Sequence, residues 1–503
     1  MNAVTLDFAS QLDYLHALLP EIVLTVAALA VLMTDAFGGE DGEDGSRAAV
    51  GRMAAAGVAL AALANVWLLN LRPAGDGGVV ALDGFRAASN FVLLGGTFFA
   101  LLFARDYLDR EGLKAGEFHA LVLFATVGGM VLVGARDLIV TFLGLETMSI
   151  AAYVLTAFNR RDPRSAEAGL KYFLVGAFAS AFFVYGIALL YGATGTTHLA
   201  EMGPALAEGV AGGQPLVWGG LGMLLVGFGF KVSAVPFHMW APDAYQGAPT
   251  PVTGYMAAAV KAAAFLALLR VLVIHLEPAR EIWVAVAWWL AFLTMVVPNL
   301  IALAQDDVKR MLAYSSVAHA GYLLVGVTAG GEAGLSAALF YLAVYTLMTL
   351  GAFGVVYLVA GKGDRRSHLA DFRGLGWSRP VLGVAMVVFL LSLAGFPPTG
   401  GFVGKLFLLR AAVDAGQLTL AVTLVLTSLV AYYYYLRVVW KMYFEEAPEG
   451  AVTPASPGRS FRLAAAVCAV GVLAAGLLPG PAIDGAERAA AGVVHRPATP
   501  ATA

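Results

Sequence analysis

Cysteine and charge are both scarce in this sequence: one thiol, Cys468, and charged side chains at only 13% of 503 positions. A single thiol excludes a disulfide framework. It also excludes an iron–sulfur cluster held by this chain alone, which needs several thiolates. In its apolar run Cys468 reads as a small buried hydrophobe. A soluble chain carries roughly a quarter of its residues as Asp, Glu, Lys and Arg, so the charge deficit points away from water. There is no basic arm for nucleic acid. No basic residue precedes the first apolar run, so residues 18–35 read as a retained span and not as a secretory signal. Of eight histidines, only His319 falls near mid-membrane, and one does not supply the two facing ligands of a b-type haem. No Ser/His/Asp or metal-ligand spacing appears. The GFGF at 227–230 is no phosphate loop, because no GK[ST] follows.

What is abundant is apolar: 60% of residues are hydrophobic. Runs long enough to cross a bilayer, about 20 residues each, recur from end to end. Spans are expected near 18–35, 51–70, 87–105, 118–134, 137–158, 168–192, 215–236, 252–275, 281–303, 310–329, 334–360, 381–412, 416–440 and 461–479. The fold class is thus all-α integral membrane protein with about fourteen transmembrane helices. Segments 38–47 and 481–503, rich in small and polar residues, read as a flexible loop and a disordered tail. Lys and Arg concentrate in one set of alternate loops (Arg105, Arg110, Arg160, Arg161, Lys309, Arg310, Arg365, Arg366), with fewer in the other set (Arg86, Arg136, Arg270, Arg280). The positive-inside bias puts both termini on the outer side.

Two spans carry breaks. GFGFKVSAVPFHMWAP (227–242) and SLAGFPPTGGFVG (392–404) place proline where a helix loses a hydrogen bond and meets a clash. Interrupted helices at membrane depth persist where protein or a water-filled cavity satisfies the freed backbone. Breaks in corresponding positions of two halves point to inverted repeats around an ion path. A faint echo, SIAAYVL (149–155) against AHAGYLL (318–324), sets Glu146 opposite Ser315. The division expected is a three-helix segment (1–117), two inverted five-helix repeats (118–275 and 281–440), each with one broken helix, and a C-terminal helix with a flexible tail (441–503).

Ionisable groups inside a membrane are functional candidates by default. Glu146 and Lys261 each lie nine residues into a span, about 14 Å deep at 1.5 Å per residue. Lys231 precedes the first break, and Lys405 follows the second. Lys171 lies near a span end, where snorkelling to the interface competes with burial. A structural ion pair such as Glu146–Lys231 is the alternative for each, but four buried lysines cannot all pair with one acid. A lysine, unlike arginine, can give up its proton when desolvated. Such groups linked by water make a proton relay, which His319 either joins or merely packs beside. The tyrosines at 432–435 read as packing and interface anchors, not as a quinone site.

Several long motifs in order resemble the antiporter-like membrane subunits of respiratory complex I (NADH-quinone oxidoreductase). They are FLGLETMSIAAYVLTA, EAGLKYFLVGAFASAFFVYGIALLYG, FGFKVSAVPFHMWAPDAYQGAPTPVTGYMAAAVKAAAF, DVKRMLAYSSVAHAGYLLVG and SLAGFPPTGGFVGKLFLL. The likeness runs over about residues 15–480. Within the family the lysine of GFVGKLF and the AYYYYLRVVW segment are similar to subunit N. The resemblance implies a proton-translocating subunit of a bacterial inner-membrane complex. It implies that Glu146, Lys231, Lys261 and Lys405 form the relay, with Lys171 and His319 as further candidates. It implies no cofactor or metal on this chain, with NADH, FMN, iron–sulfur clusters and quinone held by other subunits. The implied partners are an adjacent M-type subunit, small K-, J- and A-type subunits and the lipid bilayer. A multisubunit cation/proton antiporter and a membrane-bound hydrogenase share the pattern and stand as alternatives.

Overall fold

The computed structural model describes residues 4–37, 43–74, 78–211, 214–447, 454 and 456–494. Nearly all of it is helical. A two-stranded parallel pair, β1 (Val4–Leu6) with β2 (Leu71–Pro73), joins the ends of the first segment in the register Val4↔Leu71. In chain order the helices are α1 (Gln11–Ala17), α2 (Leu19–Phe37), α3 (Glu43–Leu68), α4 (Gly84–Glu111), α5 (Ala115–Gly134), α6 (Leu138–Thr156) and α7 (Pro163–Thr194). There follow α8 (Leu199–Ala211), α9 (Pro215–Lys231), α10 (Trp240–Gly247), α11 (Thr250–His275), α12 (Arg280–Leu303), α13 (Val308–Ala329) and α14 (Gly331–Ala360). The last are α15 (Pro380–Ala394), α16 (Gly400–Asp414), α17 (Leu418–Phe444), α18 (Arg459–Leu477) and α19 (Gly480–Val494). Among the described residues twelve helices are long and apolar enough to cross a bilayer, and two shorter apolar ones, α9 and α15, are first halves of broken helices.

Burial sorts the helices. The α11, α13 and α14 helices are enclosed almost completely, whereas α2, α7 and α18 leave most of their apolar surface outward. Since lipid is as apolar as leucine, that outer surface costs nothing in a bilayer, and helix contacts rest on close packing of small residues. Glycine supplies it at Gly128 and Gly144, where an added Cβ would come within 2.4 Å of Met148 N and 2.5 Å of Leu132 N.

Both breaks are where proline placed them. The α9 helix ends at Lys231 and the chain turns through Val235–Pro236, a cis bond, before α10; α15 ends at Ala394 and turns through cis Pro397–Pro398 before α16. The expected span 381–412 is thus two half-helices, and the helix of span 215–236 ends at Lys231. At the second break Gly401 lets the half-helices meet, since a Cβ there would stand 1.8 Å from Ser392 O.

The two stretches expected to be flexible are helical where the structure describes them. Residues 480–494 form α19, whose Ala486, Ala489, Ala490 and Val493 are buried against α4 and α14. Small residues look disordered by composition, yet alanine is the strongest helix former and here marks a helix packed closely on its neighbours. Of the expected 38–47 loop, residues 38–42 lie outside the described residues, and 43–47 already belong to α3; the rest of the tail, 495–503, also lies outside them.

A local symmetry appears that the echo motif only hinted at. Asp137 caps α6 and Asp307 caps α13. Each bridges to the histidine of a Thr/Ser-His-Leu triplet, Asp137 to His198 and Asp307 to His368. Each also accepts from the preceding hydroxyl, Thr197 at 2.6 Å and Ser367. Aligning the caps sets Glu146 opposite Ser316, one residue from the register of the echo motif.

Candidate functional site

Four lysines are buried, and three of them, Lys231, Lys261 and Lys405, lie within the apolar runs of the sequence. An ammonium removed from water costs several kcal/mol unless it is paired or well hydrogen-bonded. None of the three has a carboxylate within ion-pair distance among the described residues; their partners are hydroxyls, carbonyls and aromatic faces.

Lys231, the last residue of α9, donates to Ser149 Oγ at 2.7 Å and reaches Tyr172 OH at 3.4 Å. Its ammonium lies 5.7 Å and 5.6 Å from the Tyr153 and Tyr172 ring centres. Tyr172 is fixed by stacking on Trp240 at 4.2 Å, so the far half of the broken helix holds this site together. The Glu146–Lys231 contact considered from sequence is not formed. Glu146, half-buried one turn from Ser149, accepts from Ser180 of α7 instead. A void of about 10 Å³ between Ser149, Ser180 and Lys231 is the size of one water.

Lys261 lies at the middle of α11, directly after the π-helical turn Met256–Val260. Such turns recur at functional sites because they offset a side chain from its helical face. Its ammonium donates to the carbonyl of Ser316 at 2.7 Å and to the Ser316 hydroxyl. That hydroxyl also takes a hydrogen bond from Tyr345 OH at 2.9 Å. One turn along α13, His319 joins Tyr341 OH through Nδ1 at 2.5 Å and Tyr435 OH through Nε2 at 3.1 Å. Tyr435 meets Ser315 as well. Lys405, on α16, donates to the carbonyls of Leu393 and Ala394 at 3.0 Å and 2.8 Å. These are the unpaired C-terminal carbonyls of α15, where the helix dipole favours a cation. The Lys405 ammonium also lies 4.7 Å from the Tyr322 ring centre.

Of the two alternatives open for Lys171, the structure has the exposed one. Its side chain is half-exposed and paired with Glu167 at 2.8 Å and Asp243 at 3.0 Å. Placed near a span end, it snorkels instead of joining the buried set. It borders a polar cavity of about 310 Å³ with Arg164, Asp243, Asp307, Ser367 and His368. Buried charge missed from sequence is found elsewhere. Lys309, expected in a loop, is enclosed, bonded to Ala248 O at 2.5 Å and 3.7 Å from Asp364. Arg270 and Arg86, also expected in loops, form buried pairs with Asp83 at 2.8 Å and Glu21 at 2.7 Å. Burial alone would raise the Asp83 carboxyl, but Arg270 beside it brings it down to about 2. The tyrosine run divides: Tyr434 and Tyr435 are interior, Tyr434 OH bonding Asn299 at 2.9 Å, while Tyr433 faces outward.

The hydroxyl partners Ser149, Ser180, Ser316, Tyr172, Tyr341 and Tyr345 carry no mark in the sequence, and Tyr435 reads there as packing. Helical spacing was the available signal: Ser149 stands three residues after Glu146 and Ser316 three before His319, so each shares a face with it.

Comparison with known proteins places this arrangement. The family model for NADH:quinone oxidoreductase/Mrp antiporter transmembrane proteins matches residues 135–431. NADH-quinone oxidoreductase subunit N of Trichlorobacter lovleyi is 42% identical over 480 residues, covering 94% of this chain and 96% of that protein. A chain of respiratory complex I from Thermus thermophilus, solved with bound aureothin, superposes with a TM-score of 0.77 at 37% identity, over 92% of this chain and 98% of that one. A chain of the Mrp complex from Dietzia shares the fold at 24% identity, with a TM-score of 0.80 over 94% of this chain and 98% of that one. This chain belongs to the NADH-quinone oxidoreductase subunit N family of antiporter-like membrane subunits.

Proposed function

We propose that this chain is a proton-translocating subunit of a bacterial NADH:quinone oxidoreductase, carrying protons along a file of Lys231, Lys261, His319 and Lys405 joined by hydroxyls and water. Glu146 biases the Lys231 end, and Lys171 with Asp243 lines the polar mouth. The observation that carries this reading is three enclosed lysines with no acidic partner among the described residues, spread over α9, α11 and α16. A merely structural cation would be held by a carboxylate, and an apolar residue of the same length would pack more cheaply. The paired Asp137 and Asp307 caps support two inverted five-helix repeats, 118–275 and 281–440, within fourteen spans. In this reading both termini lie outside, and the cavity near Arg164 and Arg365 opens inward.

The redox chemistry belongs to other subunits, which hold FMN, iron–sulfur clusters and quinone; an M-type subunit and the small K-, J- and A-type subunits are the neighbours. Purification through a tag on this chain should recover flavin and cluster subunits with NADH-dependent quinone reduction and proton uptake into vesicles. Recovery of membrane subunits alone, with sodium/proton exchange independent of NADH, would favour the antiporter reading.

A further inference from the structure

On the exposed apolar face of the bundle, a groove of about 430 Å³ runs between the end of α6 and the start of α7. Val154, Phe158, Leu170 and Phe173 make it apolar, and Arg160 stands at its end. Gly169 lets the two helices close its floor, since a Cβ there would lie 2.5 Å from Ala157 Cβ. The loop beyond is NRRDPR, residues 159–164. Arg164 is held by Asp162 at 2.7 Å. Arg160 and Arg161 are exposed, and neither has an acidic partner among the described residues.

We propose that this groove binds one anionic phospholipid, its phosphate on Arg160 and Arg161 and one acyl chain along Val154, Leu170 and Phe173. An acyl chain gains nothing by leaving the bilayer for an apolar wall, so the chain fixes position and the headgroup decides identity. Two arginines at an anionic headgroup correspond to a preference of roughly twenty- to thirtyfold over a neutral lipid. The inner wall of the groove is Tyr153, whose ring stands 5.7 Å from the Lys231 ammonium and edge-on to Tyr172 at 4.6 Å. The lipid is therefore one side chain away from Lys231, and its chain keeps Tyr153 against that ammonium.

The test uses the whole complex, stripped in neutral detergent and titrated with phosphatidylglycerol or phosphatidylcholine, with bound lipid counted by native mass spectrometry. Wild type should retain one phosphatidylglycerol that the R160Q/R161Q double variant loses and the R160K/R161K variant keeps. Val154→Trp, which fills the groove and leaves both arginines in place, should lose the same lipid. Equal retention in wild type and R160Q/R161Q, or retention by Val154→Trp, overturns the site, as does loss from R160K/R161K. Should R160Q/R161Q not assemble, Val154→Trp decides alone. The link to Lys231 rests on the proposed proton path and has its own readout. The proton-to-electron ratio should be lower in phosphatidylcholine vesicles than in vesicles of equal parts phosphatidylcholine and phosphatidylglycerol, a difference R160Q/R161Q abolishes. A ratio that ignores lipid composition overturns the link while the lipid count stands.

Discussion

Lys261→Met separates a working lysine from a structural one, because the two roles predict opposite balances of stability and transport. The Lys261 ammonium makes two hydrogen bonds, to the Ser316 carbonyl at 2.7 Å and to its hydroxyl. Bonds to a charged group contribute about 1.5–3 kcal/mol each, so about 3–6 kcal/mol is lost with the amine. The desolvation penalty that disappears with the charge is also several kcal/mol. The Ser316 hydroxyl keeps Tyr345 as a donor at 2.9 Å, and methionine nearly matches lysine in length. Net stability should therefore change by no more than about 2 kcal/mol, and the complex should assemble. Proton transfer through this chain should nevertheless stop, as no titratable group remains. Lys261→Arg keeps the charge at an overpacking cost of about 1–3 kcal/mol, but arginine does not release its proton. Both variants should oxidise NADH with a lowered proton-to-electron ratio in proteoliposomes, assembly being checked by subunit composition. An assembled Lys261→Arg complex pumping at the normal ratio would refute the relay role.

At the second break, Lys405→Met should leave the α15 carbonyls of Leu393 and Ala394 without their cation, at about 1–3 kcal/mol. Faster hydrogen exchange at 395–401 and a lowered proton ratio are expected, and unchanged exchange would deny the capping role. Asp83, held at about 2 rather than its ordinary 3.8, contributes on the order of a few kcal/mol near neutral pH. Because its folded value is depressed, that contribution is complete above pH 3.8 and is lost as pH falls towards 2. In Asp83→Asn the complex should be less heat-stable at neutral pH, and the acid-dependent loss in that window should shrink; an unaltered acid profile would count against the Arg270 clamp. Arg365→Cys and Asp484→Cys, both exposed, should label from opposite faces of the membrane, and labelling of both from one face would sink the fourteen-span topology.

The candidate site was legible in the sequence only where it is charged. Hydropathy marks spans, proline marks breaks, and a lysine inside an apolar run stands out because it is expensive there. The residues that satisfy those lysines are serines and tyrosines, common in membrane helices, so only the fold distinguishes Ser316, bonded to Lys261, from Ser336, bonded to its own helix. The same blindness explains Lys171 and Lys309. Each lies near a span end, where composition cannot say whether the side chain turns inward; Asp243 draws the first to the surface, and Ala248 and Asp364 hold the second inside. For α19 the error ran the other way, since a run of alanines and glycines opening on Pro481 hides a helix whose buried face is alanine and valine. The repeat was legible in its weakest form. The matched Asp caps with their Thr/Ser-His-Leu partners lie sixty residues apart in each half. Pairing them requires knowing that the chain returns to the same end of the bundle, which is topology and not pattern. Capping by Asp137 and Asp307 fixes the start of α6 and α13, and on the cap register Glu146 and Ser316 occupy equivalent depths. One half thus presents a carboxylate one turn from the Lys231 site, and the other presents a neutral hydroxyl to Lys261. The two caps are thus matched in backbone, while the residues nine positions beyond them differ in charge.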